Sequence, residues 1–108
     1  MIDRKKKMMI DAKAKILKAL AHPTRIMIIE KLSEDGECCV CELVELANAD
    51  FSTVSKHLTV LKQAGIVSDD KRGQQVFYTL QMPCAVRFMD CLESVIKSGV
   101  KSQMEMLK

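Results

Sequence analysis

Three of the chain's five cysteines, Cys38, Cys39 and Cys41, fall within four positions of the stretch GECCVCEL. The other two, Cys84 and Cys91, stand seven residues apart in the C-terminal part of the chain. Thiols this close together can pair, respond to oxidation, or hold a soft ion through thiolate sulfur. An odd number cannot pair completely within one chain. Cys38 and Cys41 also spell C-x-x-C, but a thiol–disulfide enzyme sets that motif in a βαβ context, which the surrounding pattern lacks. No Ser/His/Asp constellation, Gly-rich phosphate loop or paired carboxylate site stands out, so no enzyme is expected.

Composition narrows the setting. The 108 residues carry 17 basic and 14 acidic side chains, a net charge of +3, and 48% are hydrophobic. That suits one folded domain, spanning 1–108, with a modest core. The charge is a weak pointer to an anionic partner. No run of about 18 apolar residues is present, so no membrane partner is expected. The basic start MIDRKKKMMID is followed by no apolar signal core. A cytoplasmic location is expected, where reducing conditions disfavour structural disulfides and favour metal or thiol chemistry.

The cysteines must be positioned by the elements around them. Ile10, Leu17 and Leu20 mark a first helix, expected over 8–21. His22-Pro23 interrupts it, with Pro suited to the first position of a second helix that Gly36 stops. Leu43, Leu46 and Ala47 give a short third helix starting at the cysteine cluster. Asp50 is a good N-cap for a fourth, FSTVSKHLTVLKQAG, whose Val54, Leu58 and Leu61 form one buried stripe. The period then changes: Ile66–Ser68 and Val76–Leu80 read as two strands around the polar tip 69–74. Pro83 opens a last helix, expected over 83–107, with Val86, Met89, Leu92, Val95 and Ile96 on one face.

The expected class is mostly α, a winged helix-turn-helix of order α-α-α-α-β-β-α, with helix-turn-helix 40–64 and wing 66–80. The first and last helices are apolar on one face with little in the chain to cover them. A second copy covers them economically, which predicts a homodimer joined through 8–21 and 83–107.

A recognition helix enters the major groove with its N-terminal half. Here that half offers Ser52, Thr53, Ser55, Lys56 and His57. The wing tip adds Lys71, Arg72 and Gln74 beside Gly73, suited to phosphate or minor-groove contact. Double-stranded operator DNA is the expected partner. His57 has an alternative role, packing against the neighbouring helix.

AHPTRIMIIEKL, ECCVCEL, STVSKHLTVLKQAGIV and RGQQVFYTL together resemble the ArsR/SmtB family of dimeric bacterial metal-sensing repressors, over roughly residues 12–92. The resemblance implies a winged-helix dimer that binds operator DNA with no cofactor and leaves it when an inducer binds. Cys39-Val40-Cys41-Glu42-Leu43 is similar to the Cys-Val-Cys-acid-Leu of the arsenic- and cadmium-sensing branches. Cys39 and Cys41 therefore carry over as inducer ligands, with As(III) or Sb(III) as the expected inducer. The arsenic branch's third cysteine falls three residues after Cys41, where this chain has Val44. Cys38 takes that role by the i, i+3 spacing to Cys41, with Cys84 and Cys91 as alternatives, or as small hydrophobes of an apolar helix.

Thiols at a helix N-terminus are more acidic and capture soft ions more readily. Residues two apart on a helix diverge by about 200°, so one ion on Cys39 and Cys41 is expected to unwind the start of the third helix. Zinc, nickel and cobalt sensing, in the branches that use His on the final helix, does not fit, since that helix has no His. A redox-sensing repressor, a cadmium or lead sensor of the same fold, and a structural zinc knot stay open.

Overall fold

The computed structural model describes residues 3–106, and side chains through residue 99. Eight elements follow one another: α1 (Arg4–Leu20), α2 (Pro23–Asp35), β1 (Glu37–Cys39), α3 (Val40–Ala47), α4 (Phe51–Gln63), β2 (Val67–Arg72), β3 (Gln75–Leu80) and α5 (Ala85–Met106). The five helices, the helix-turn-helix of α3 and α4 and the β2–β3 wing are as expected. The strand β1 is not. It pairs antiparallel with β3, giving a three-stranded sheet of order β1-β3-β2. Three residues are too few to display a period of two, so nothing in Glu37-Cys38-Cys39 distinguishes a strand from a loop.

Local chemistry explains most boundaries. Asp3 caps α1 by accepting the Lys6 N–H at 2.8 Å, which starts the helix four residues before the expected position 8. His22 Nδ1 accepts the Thr24 N–H at 3.1 Å, and Pro23 fills the first turn of α2, where no donor is needed. Gly36 closes α2 at φ +83°, a conformation costly for any residue with a Cβ, and its N–H reaches the Leu32 carbonyl at 2.9 Å. Asp50 caps α4 through Thr53 N–H at 2.9 Å. Pro83 and Cys84 form a turn, and α5 begins at Ala85 rather than Pro83. The expected helix end at Leu107, like the ends of a 1–108 domain, lies outside the described residues.

The wing is longer than the sequence suggests. β2 runs through the polar Asp69, Asp70, Lys71 and Arg72, and the turn is only Gly73-Gln74, with Gly73 at φ +64°. Beyond Ser68 the residues of β2 are all exposed, so its polar side chains stay in water and no alternation is required, while Val76 and Tyr78 of β3 still pack against the core.

The core gathers Ile28, Ile29 and Leu32 of α2, Leu43 of α3, and Val54, Leu58 and Leu61 of α4, all essentially inaccessible. The expected α4 stripe is thus buried, and it fixes which face of that helix points outward. By contrast, α1 buries only Ala19 and Leu20, leaving Met8, Met9, Ile10, Ile16 and Leu17 exposed. On α5, Val86, Leu92, Val95 and Ile96 are exposed while Ala85 and Met89 reach the core. No described helix is long and apolar enough to cross a membrane.

Candidate functional site

The sulfur cluster is divided by β1. Cys38 pairs with Tyr78 and Cys39 with Phe77, and successive strand residues face opposite sides. Cys38 turns into the core, 1% exposed, where its thiol donates to Asp35 Oδ2 at 3.6 Å. Burial first, then the carboxylates of Asp35 and Glu42, push that thiol up to about 12, so it stays protonated at neutral pH. Asp35 is itself held by Lys31 at 3.0 Å. Asp35, Cys38 and Glu42 bring their ligand atoms within 4.8 Å of one another, a second donor cluster distinct from the Cys39–Cys41 pair.

Cys39 and Cys41 stand together. Their sulfurs are joined in a disulfide, with Cα atoms 5.3 Å apart, although a reducing compartment was expected to disfavour one. Two expectations are corrected here. Cys39 is not helical: it is the N-cap of α3, at φ −78° and ψ 159°, and its Sγ accepts the Glu42 N–H at 3.4 Å. An extended cap residue folds its side chain back over the first turn, so Cys39 reaches Cys41 while α3 remains intact from Val40 to Ala47. The 200° divergence applies to two helical residues and not to a cap and its neighbour, so the helix need not unwind. The helix-face argument linking Cys38 with Cys41 fails too, because Cys38 lies in a strand. Cys84 and Cys91 are exposed on or just before α5, which packs against α2 and, among the described residues, against neither α3 nor β1.

Beside the sulfur pair is a recess of about 170 Å³ lined by Cys39, Val40, Cys41, Phe51, Gln74, Gln75 and Val76. It joins three elements: the start of α3, the start of α4 and the wing turn. Phe51 is 64% exposed there, directly after the Asp50 cap. Sequence reasoning passed over it. The available signal was an aromatic at the first, solvent-facing position of a recognition helix.

Of the expected DNA contacts, Ser52, Thr53 and Lys56 lie exposed along one side of α4 and Ser55 is half-buried beside them. Lys71 and Gln74 are exposed on the wing, and neither Lys56 nor Lys71 has an ion-pair partner among the described residues. Arg72 is different. Its guanidinium holds both Glu37 oxygens at 2.7 and 2.9 Å and Asp70 at 2.9 Å, and lies 4.6 Å from the Phe77 ring centre. These bonds hold the Glu37 carboxyl below its usual range. Arg72 thus ties the wing to β1 instead of reaching outward.

His57 takes its packing alternative. Its ring lies 4.3 Å from His22, and Nδ1 accepts the Arg25 Nε–H at 3.0 Å. Burial, then the charges of His22 and Arg25, lower its pKa below 6.5, favouring the neutral acceptor. Stability from this group is therefore complete above about pH 6.5 and is lost as pH falls through that value towards the lower folded pKa. Urea midpoints are expected to drop between about pH 7.5 and pH 5.5, and His57→Gln to flatten that part of the profile. An unchanged slope in His57→Gln would assign the acid sensitivity to other groups.

Residues 22–69 match the family model described as bacterial regulatory protein, arsR family. The arsenic resistance transcriptional regulator ArsR1 of Pseudomonas putida is 34% identical over 92 residues, covering 85% of this chain and 69% of that one. The chain belongs to the arsR family. A cadmium resistance transcriptional regulatory protein CadC homolog from Staphylococcus aureus is 42% identical over 67 residues; those cover 62% of this chain but only 55% of that relative. In structure, the transcriptional repressor BigR from Xylella fastidiosa superposes with a TM-score of 0.72 at 32% identity, covering 88% of this chain and 96% of that one. Family membership and the winged helix-turn-helix make this chain a DNA-binding transcriptional regulator, not an enzyme.

Proposed function

We propose that this arsR-family member is an operator-binding repressor that works in the cytoplasm as a homodimer, and that trivalent arsenic or antimony captured by Cys39 and Cys41 releases it from DNA. One observation carries the reading: the two sulfurs that meet at the cap of α3 share a recess with Phe51 of α4 and Gln74 of the wing. An ion held between the sulfurs widens the space they share. The displacement falls where the recognition helix and the wing close on that space, so ion capture and DNA geometry compete at one place. Ser52, Thr53, Ser55, Lys56, Lys71 and Gln74 are the proposed DNA contacts, with Arg72 and His57 as supports behind them. The exposed apolar faces of α1 and α5 are the proposed dimer surface.

Within one chain neither Cys38 nor the two C-terminal thiols stand at the pair. The third position on an inorganic ion thus falls to a thiol of the second copy or to a non-protein ligand. The test is fluorescence anisotropy on the protein's own promoter with the reduced protein, titrating arsenite, antimonite, cadmium, lead and zinc in turn. Release by arsenite or antimonite at the lowest concentrations is expected. Likeness to a cadmium-resistance regulator is the reason to keep cadmium and lead in the series.

A second reading has its own observation. Cys39 and Cys41 stand joined, so an oxidant could act on the same pair. Release by peroxide or persulfide, with no release by any ion, would favour this redox reading.

A further inference from the structure

We propose that Phe51 reads thymine: the ring at the start of α4 packs against the C5-methyl group of a thymine in the operator's major groove, once in each half-site. This rests on the preceding placement of α4 on DNA and adds a base contact to it.

Phe51 is the first residue of α4, directly after the Asp50 cap, and is 64% exposed. It stands seven residues before Leu58, so it continues the stripe of Val54, Leu58 and Leu61 towards the N-terminus. Those three are inaccessible, and the core stops short of Phe51. Val40 and Val76 line the recess beside it, but Gln74 and Gln75 line the same recess with polar groups. Phe51 also lines a second, open hollow with Ser52, Ser55, Lys56, Thr59 and Val60. Phe51, Ser55 and Thr59 are spaced by four and make one row along the helix. The ring therefore belongs to the face that carries the proposed DNA contacts.

The helix itself does not call for an aromatic there. Asp50 already caps it through the Thr53 N–H. A hydrophobic staple would use the residues at 49 and 54, not 51. Aromatic residues are only middling helix formers. An exposed ring is stabilised when a partner removes it from water.

The chemistry of the groove selects that partner. Base edges in the major groove present donors and acceptors, and one apolar group, the C5-methyl of thymine. A phenyl ring has neither donor nor acceptor, so it tells thymine from the other bases by that methyl alone. The N-terminal residues of a recognition helix are the ones that reach base edges. Ser52, Ser55 and Lys56 can hydrogen-bond around the ring and fix its register.

The experiment replaces thymine by deoxyuridine at each position of the operator in turn, which removes the methyl and keeps every hydrogen-bonding group. Anisotropy compares the wild-type full chain with Phe51→Ala and Phe51→Leu. One thymine in each half-site is expected to show a loss of about fourfold in wild-type affinity, equal to roughly 0.8 kcal/mol at 1.4 kcal/mol per tenfold. Replacing both should cost roughly 15-fold, if the half-sites add. Phe51→Ala is expected to bind the unmodified operator correspondingly less tightly and to be indifferent to those two methyls. Its slope of log affinity against log salt should match the wild type, because Phe51 carries no charge. Phe51→Leu, still apolar but smaller, is expected to keep part of the methyl response, and supplies the same comparison should the alanine variant unfold. Methyl responses that are equal in wild type and variants at every position would overturn the inference, as would the absence of any methyl response or a lowered salt slope in Phe51→Ala. If Ser52→Ala and Lys56→Ala leave operator affinity unchanged as well, the placement of α4 on DNA fails, and this inference with it.

Discussion

Cys41→Ser is expected to raise the arsenite concentration needed for operator release by about 100-fold or more, with operator affinity unchanged within about twofold. The size follows from chelation: with both sulfurs on one short stretch, the second bond forms within a complex, and such linkage multiplies affinity by about 10²–10⁴. Removing either sulfur forfeits that factor. Cys39→Ser is expected to behave alike, and it is the more informative variant. Cys39 also caps α3 through the Glu42 N–H, and Ser is a preferred cap residue. The substitution thus removes the soft ligand while keeping the helix start. Anisotropy with and without arsenite separates the two roles. Release at the wild-type arsenite concentration in both variants would place the sensor elsewhere, with the cysteines of the C-terminal segment the next to examine.

The second large effect concerns the wing. Lys71→Ala is expected to weaken operator binding and to lower the salt dependence, reducing the slope of log affinity against log salt by about 1 for each copy and so about 2 for a dimer. Lys56→Ala is expected to do the same from α4. Arg72→Ala is the contrast: its guanidinium is committed to Glu37, Asp70 and Phe77, so the slope should change less. The variant should instead loosen the wing from β1. Salt titrations of the three variants on one operator provide the check. A larger slope change for Arg72→Ala than for Lys71→Ala would mean that DNA breaks the clasp and recruits the arginine.

That contrast shows where the sequence stops being informative. Lys71 and Arg72 are adjacent and look equivalent as charges. Only the pairing of β1 with β3, which brings Glu37 within reach of Arg72, separates them. β1 itself left no periodic trace, because three residues cannot show one. The buried face of α4 was legible from Val54, Leu58 and Leu61, since a thirteen-residue helix repeats its pattern several times. The resemblance points to Cys39 and Cys41 as candidate ligands, but spacing alone does not show that Cys39 is a cap and not a helical position. His57 could not be assigned from its own helix, because the deciding partners, His22 and Arg25, sit about thirty residues earlier.

The shortness of β1 carries a further consequence. Its alternation sends Cys38 into the core, where its thiol keeps its proton, and Cys39, itself only 4% exposed, to the opposite face at the cap of α3. Which partner each of the two strand cysteines meets, Asp35 for Cys38 and Cys41 for Cys39, is set by its parity along the strand. Inserting one residue before Cys38, or deleting Glu37, would exchange the two faces without changing the number of thiols. Within this stretch the chain is held to a strict count, and tolerance to length change should be lower there than in the exposed turn at Gly73-Gln74.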